Sequence, residues 1–210
     1  MFALRETDLA GRILGCGDGP ASFNAEAARR GVKVVSCDPL FAWKGPRILD
    51  RIRATYDQIL RQTRQNRQQF VWDRIPSVEE LGRIRMAAMK LFLEDFDIGA
   101  QKGRYVAAEL PALPFRDKSF EMALCSHLLF LYTDQLTEAF HTAAILEMHR
   151  VASEVRVFPL LALDGRPSAH VPAVISRLRD AGREVTIETV PYEFQRGGNQ
   201  MLRIFSPSAR

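Results

Sequence analysis

Short apolar runs alternate along this chain with stretches in which apolar residues return every third or fourth position. That alternation predicts strands and helices in turn, the pattern of a parallel sheet covered by helices. Arg12-Ile-Leu reads as a first strand leading into Gly15-Cys-Gly-Asp-Gly-Pro20, followed by a helix from Phe23 that stops at Gly31. Val32–Cys37 reads as a second strand ending at Asp38-Pro39, Arg104–Glu109 as a third, and Phe120–Cys125 as a fourth. A helix is predicted over about 134–150, a fifth strand from Val155, and a helix over 168–181 whose apolar face carries Val171, Val174, Ile175 and Leu178. The chain then breaks the alternation. Glu184–Val190 and Met201–Phe205 are two strands joined near Gln195-Arg-Gly-Gly-Asn199, which predicts a hairpin.

Two long helices stand between the second and third strands. In the first, Leu49, Ile52, Tyr56, Ile59 and Leu60 share a predicted face. The second opens at Ser77-Val-Glu-Glu80, a capping box, and its predicted face is Leu81, Ile84, Ala88, Leu91 and Phe92. The expected fold is therefore α/β and Rossmann-like: a seven-stranded, mostly parallel sheet with a C-terminal antiparallel hairpin and a helical insertion after strand 2. At 210 residues the whole chain, 1–210, reads as a single domain with the insertion at about 43–102.

Composition narrows the function classes without choosing among them. The first residues lack a signal-peptide pattern, and no stretch approaches the ~20 apolar residues of a membrane span. Cys16, Cys37 and Cys125 show no metal-ligand spacing, so no metal is expected and a reduced, cytoplasmic setting is the simplest reading. The formal net charge of +4 is mild. It is also uneven: Lys44 to Arg104 holds 13 Lys/Arg against 8 Asp/Glu.

The chemistry begins at the glycine turn. A strand end followed by Gly15-x-Gly17-x-Gly19 and a helix is a nucleotide-binding geometry, because glycines allow close backbone approach and a helix start offers amide donors. The spacing is G-x-G-x-G, and Pro20 stands where the dinucleotide form G-x-G-x-x-G carries its third glycine, which favours a cofactor carboxylate over a pyrophosphate. Asp38, 21 residues after Gly17 at a strand end, suits a ribose; the alternative is an ordinary capping Asp.

With Ile13–Pro20, Ser36–Pro39, Glu109-Leu-Pro-Ala-Leu-Pro-Phe-Arg-Asp-Lys-Ser-Phe-Glu121, Leu124–Leu129 and Glu147–Val151 in view, the chain resembles the class I S-adenosylmethionine-dependent methyltransferases, in their ubiquinone/menaquinone-biosynthesis-like branch. The resemblance implies S-adenosylmethionine as cofactor. It implies that Gly15, Cys16 and Gly17 meet its methionine part through the backbone, and that Asp38 holds the ribose with Pro39 or Leu40 beside the adenine. Glu109 and the Leu110 amide would read the adenine edge, and Ser126 would approach the cofactor amino acid. Glu109 departs from the more usual Asp, and Val151-Ala-Ser-Glu154 replaces a glycine pair.

Methyl transfer needs a base only if the acceptor loses a proton. His127, just past strand four, is the candidate, against a structural histidine as the alternative. The absence of an [Asp/Asn/Ser]-Pro-Pro-aromatic motif and of a Pro-Cys nucleophile argues against base methylation, leaving a small-molecule acceptor. An NAD(P)-dependent dehydrogenase, a catalytically silent binding protein and an RNA methyltransferase using the basic insertion are the rival readings. The insertion itself is expected to cap the acceptor site, against a solvated face or a nucleic-acid surface.

Overall fold

A computed structural model describes residues 1–206. Seven strands form one sheet: β1 (Arg12–Cys16), β2 (Lys33–Cys37), β3 (Tyr105–Val106), β4 (Phe120–Ser126), β5 (Ala152–Phe158), β6 (Glu184–Thr189) and β7 (Gln200–Phe205). Their order is β3-β2-β1-β4-β5-β7-β6. The first five run parallel, and β7 inserts antiparallel between β5 and β6. This is the predicted seven-stranded Rossmann-like sheet with its closing hairpin.

Strand alternation divides the core into two layers. Leu14, Ala123, Val155, Val157 and Leu202 meet helices α4 (Glu138–Val151) and α5 (Val171–Asp180) through Ala144, Ile145, Met148, Val174 and Leu178. Ile13, Val34, Met122 and Leu124 face the other way and pack against Ala27 of α1 (Phe23–Arg29) and the N-terminal Phe2, Leu4 and Leu9. Cys37, Cys16 and Cys125 lie in register side by side near the C-terminal ends of β2, β1 and β4, all three buried as free thiols. The short stretch after α4 is resolved simply: the helix passes into β5 at Ala152 with no loop between them.

The insertion forms α2 (Gly45–Gln65) and α3 (Val78–Gln101). They pack on each other and on the β3 edge through Ile48, Ile52, Phe92 and Phe96, gathered around Phe41 and Tyr105. The predicted faces are rotated slightly from these. Ile59 and Ile84 are exposed, while Ile48 and Thr63 on α2 and Phe96 and Gly99 on α3 are buried. The rotation has a cause: Gly82 and Gly99 sit where a Cβ would meet Tyr56 and Tyr105, so the helices approach along small residues and not along the widest apolar stripe. The capping box is half made. Ser77 Oγ accepts from the Glu80 amide at 3.1 Å, but the Glu80 carboxylate turns to Arg83 one turn on.

The third strand is shorter than predicted. Its ladder covers only Tyr105 and Val106, and the chain then turns at Glu109–Ala112, where the Ala112 amide donates to Glu109 O at 3.1 Å. Pro111 has no amide with which to continue a ladder. The turn lifts Glu109 off the sheet, toward the cleft described next.

Candidate functional site

The C-terminal ends of β1 and β2, with the turn after β3, enclose a cleft of about 290 Å³. Gly17, Asp38, Pro39, Glu109, Leu110 and Leu128 line it. Five of the nine residues expected to hold a cofactor are thus brought together. Gly15 and Cys16 lie behind the cleft in the β1 ladder, with Cys16 fully buried. Leu40 packs with Phe41 and the insertion, on the far side of the short 3-10 turn Pro39–Ala42. Ser126 is placed outside the cleft, beside His127.

Asp38 holds the cleft's lip together. One carboxylate oxygen accepts from the Gly19 amide at 2.9 Å, the other from the Leu40 amide at 2.8 Å. Each oxygen keeps a further lone pair. The amides of the glycine turn are otherwise engaged: Gly17 donates to Cys37 O at 2.8 Å and Ala21 to Gly19 O at 2.9 Å. With α1 only seven residues long, the turn offers close approach and few amide donors. The sequence reading expected donors there. Gly17 and Gly19 both have positive φ, which explains those two glycines.

Asp18 was not singled out from sequence, and it is the most perturbed acid near the cleft. Its carboxylate accepts from Ser36 Oγ at 2.5 Å. Burial, reinforced by the Asp38 charge, pushes it up to about 6 in spite of that bond. Ser36 accepts from Asn24 Nδ2, and Asn24 Oδ1 accepts from Arg104, which forms a two-pronged pair with Asp95 of α3 at 2.7 Å. Tyr105 completes the chain by donating to Asp95 at 2.8 Å. A continuous polar network therefore ties the glycine turn to the insertion.

A second cavity of about 160 Å³ lies across the β4 end, with His127 and Leu128 on the divide. Phe70 and Arg85 from the insertion, Phe158 and Pro159 from β5, and Tyr192, Phe194 and Gln195 from the β6–β7 loop line it together with His127. That loop spans residues 190–199 and is longer than the tight turn its glycines suggested. It clasps the α2–α3 elbow: Val71 donates to Phe194 O at 2.8 Å, Arg196 to Gln69 O at 2.7 Å, and Phe70 stacks on Phe194 at 5.0 Å.

His127 takes a positive φ of 54°, and its amide donates to Phe158 O at 2.8 Å. Its ring remains reachable by solvent through the cavity mouth, yet protein surrounds it on most sides. That enclosure, with Arg85 repelling a second positive charge, pushes the imidazole down to about 4. Nδ1 lies 2.6 Å from Ser126 Oγ, while the same hydroxyl donates to Met1 Sδ at 3.0 Å. A hydroxyl has one proton, so Nδ1–H donates to Ser126 and the lone pair falls on Nε2.

His141 and His149 are buried packing residues. Part of the basic excess is used within the insertion: Arg64 pairs with Glu79, and Arg47 and Arg67 lie over Trp43 and Trp72. Among the described residues no cluster of metal-ligating side chains occurs, and no helix is long and apolar enough to cross a membrane. Arg85, Tyr192 and Phe194 were missed from sequence because nothing in their spacing marks them; only the clasp between elbow and loop brings them to β4.

No protein-family model matches the chain. The uncharacterized protein MJ0045 of Methanocaldococcus jannaschii is 31% identical over 205 residues, covering 97% of this chain and 90% of its own length. Among solved structures, the S-adenosylmethionine-dependent methyltransferase SibL in its apo form is similar with a TM-score of 0.50 at 16% identity, over 98% of this chain and 54% of SibL. The glycopeptide N-methyltransferase MtfA, solved with S-adenosylhomocysteine, gives a TM-score of 0.47 at 12% identity, over 95% and 84% of the two chains. The likeness to SibL is one of fold.

Proposed function

The chain belongs to the same family as uncharacterized protein MJ0045, and from the site it carries we propose that it binds S-adenosylmethionine and methylates a small-molecule acceptor. The observation that carries this is the meeting of Gly17, Asp38, Pro39, Glu109 and Leu110 around one cleft, with a second cavity one residue away across His127–Leu128. The third-strand motif from Glu109 to Glu121 supports the ubiquinone/menaquinone-like branch.

The residues fit the cofactor. Asp38 keeps lone pairs for two ribose hydroxyls, and Pro39, Glu109 and Leu110 offer an apolar platform and polar edge for adenine. Asp18 gives the glycine turn a negative charge that suits an ammonium group and opposes a pyrophosphate, which argues against a dinucleotide. When bound, S-adenosylmethionine supplies an electrophilic methyl carbon on a sulfonium. The chain's own task is then alignment, exclusion of water and removal of one proton. His127 is neutral at pH 7, and Nε2 accepts the proton that the acceptor's hydroxyl or amino group loses as it gains the methyl. The group's acidity rises sharply at that moment, so a weak base suffices. The insertion acts as a cap, its elbow closing the acceptor cavity against the β6–β7 loop.

A crystal structure with S-adenosylhomocysteine tests the assignment. Ribose density on Asp38 and adenine between Pro39 and Leu110 is expected; ligand density elsewhere overturns it.

A further inference from the structure

The aromatic cavity also carries information about what it accepts. Its volume of about 160 Å³ matches the ~150 Å³ at which an apolar cavity takes up one benzene ring, so it suits a single ring. Its walls are partly aromatic, with Phe158 and Tyr192 in edge contact at 5.9 Å and Phe70 stacked on Phe194, and Leu131, Pro159 and Leu163 add aliphatic surface. Flat π faces on several sides select a flat ligand over a puckered one.

The charge in the cavity is one-sided. Arg85 is the cation of the lining, and no acidic side chain faces it there. Glu193, on the same loop, is directed to the Gly197 amide at 2.8 Å. Among the described residues Arg85 forms no ion pair. Its guanidinium lies close enough to both His127 and Tyr192 to act on their charges, and Arg74 adds to the positive field at Tyr192. Arg85 keeps access to solvent at the cavity while the protein around it disfavours its charge; such a guanidinium without an acidic partner is a site for a carboxylate, which its fork can meet with two parallel hydrogen bonds.

We infer that the acceptor is a single-ring aromatic carboxylic acid, its ring held between Phe158, Tyr192 and Phe194, its carboxylate on Arg85 and its hydroxyl or amino group toward His127. This deepens the methyltransferase reading and rests on it for the reaction, though not for the binding.

The test is calorimetry with 4-hydroxybenzoate, phenol and cyclohexanecarboxylate as probes, with and without saturating S-adenosylhomocysteine. 4-Hydroxybenzoate is expected to bind at least about tenfold more tightly than either of the others, since a charge-assisted pair and the aromatic walls each contribute that much. Arg85→Gln should remove the preference over phenol while leaving phenol and S-adenosylhomocysteine binding unchanged. Arg85 is exposed on α3, so the variant should fold, and its thermal unfolding checks this. Equal binding of phenol and 4-hydroxybenzoate, equal binding of the cyclohexane acid, or indifference to Arg85→Gln overturns the inference. Probe selectivity without any S-adenosylhomocysteine binding sinks the methyltransferase reading alone; S-adenosylhomocysteine binding without selectivity sinks this inference alone.

Discussion

Asp18 folds its carboxylate back over Gly15, so closely that a Cβ at position 15 would stand 2.0 Å from Asp18 Oδ2 and 2.5 Å from its Cγ. Gly15 has no positive φ to explain it; the carboxylate above it does. Gly15→Ala must push Asp18 off Ser36, at a cost of about 1–3 kcal/mol. The same change in an Asp18→Ala background should cost much less. Urea unfolding of the four proteins measures the coupling, and equal costs in both backgrounds would show that the contact is not what requires glycine.

Asp18 also sets a pH dependence. Its carboxyl is raised from 3.8 to about 6 by burial, so the folded state holds the proton more tightly than the unfolded one. Stability from this group is therefore full below about pH 4 and declines as pH rises toward 6. Asp18→Asn keeps an acceptor for Ser36 and removes the charge. It should stabilise the protein at pH 7.5, by at most about 2–3 kcal/mol, with the advantage vanishing near pH 4. A variant less stable at pH 7.5 contradicts the assignment.

Much of the fold was legible because it depends on local pattern. Alternating apolar runs, Gly31 and the Gly-rich stretch before β7 marked six strands and five helices to within a few residues. Glu109 shows where pattern fails. Its strand was drawn too long because Tyr105–Glu109 has strand-like composition, while the Pro111 turn and an edge position shortened the ladder. The candidate site was partly legible for the same reason. Gly17, Asp38 and Glu109 stand at fixed offsets from strands, so sequence finds them. Arg85 and Phe194 depend on the clasp between the elbow and the β6–β7 loop, a contact between residues more than 100 apart. Asp38 was read as a binding residue; its bonds to Gly19 and Leu40 give it a structural role that the sequence did not show.

The His127 imidazole should titrate near 4 and not near 6.5. Its C–H resonances in NMR give the midpoint directly, and Arg85→Gln should move it upward by removing repulsion. With S-adenosylmethionine saturating, so that protonation of Asp18 near pH 6 does not limit binding, methyl transfer should then stay level from pH 8 down to about 5 and fall below that as the base gains its proton. Asn tolerates the positive φ at this position, so His127→Asn should fold and bind S-adenosylhomocysteine normally while losing ~10²-fold or more in kcat. Unchanged turnover removes His127 from the chemistry.

The clasp has its own consequence. Phe70→Ala removes the stack on Phe194 and should loosen the elbow, raising hydrogen exchange at the Val71 and Arg196 amides. Because the proposed cofactor cleft does not include these residues, S-adenosylhomocysteine affinity should hold while acceptor KM rises. A parallel loss of cofactor affinity would argue that elbow and cleft move as one body.

The most direct test of the central claim is calorimetric titration of the intact protein with S-adenosylhomocysteine and, separately, with NAD⁺. S-adenosylhomocysteine is predicted to bind at one site per chain, and Asp38→Asn, checked for folding by its thermal transition, should weaken it by about 10- to 100-fold. NAD⁺ should give no saturable heat. Tight NAD⁺ binding with no response to S-adenosylhomocysteine would contradict the account.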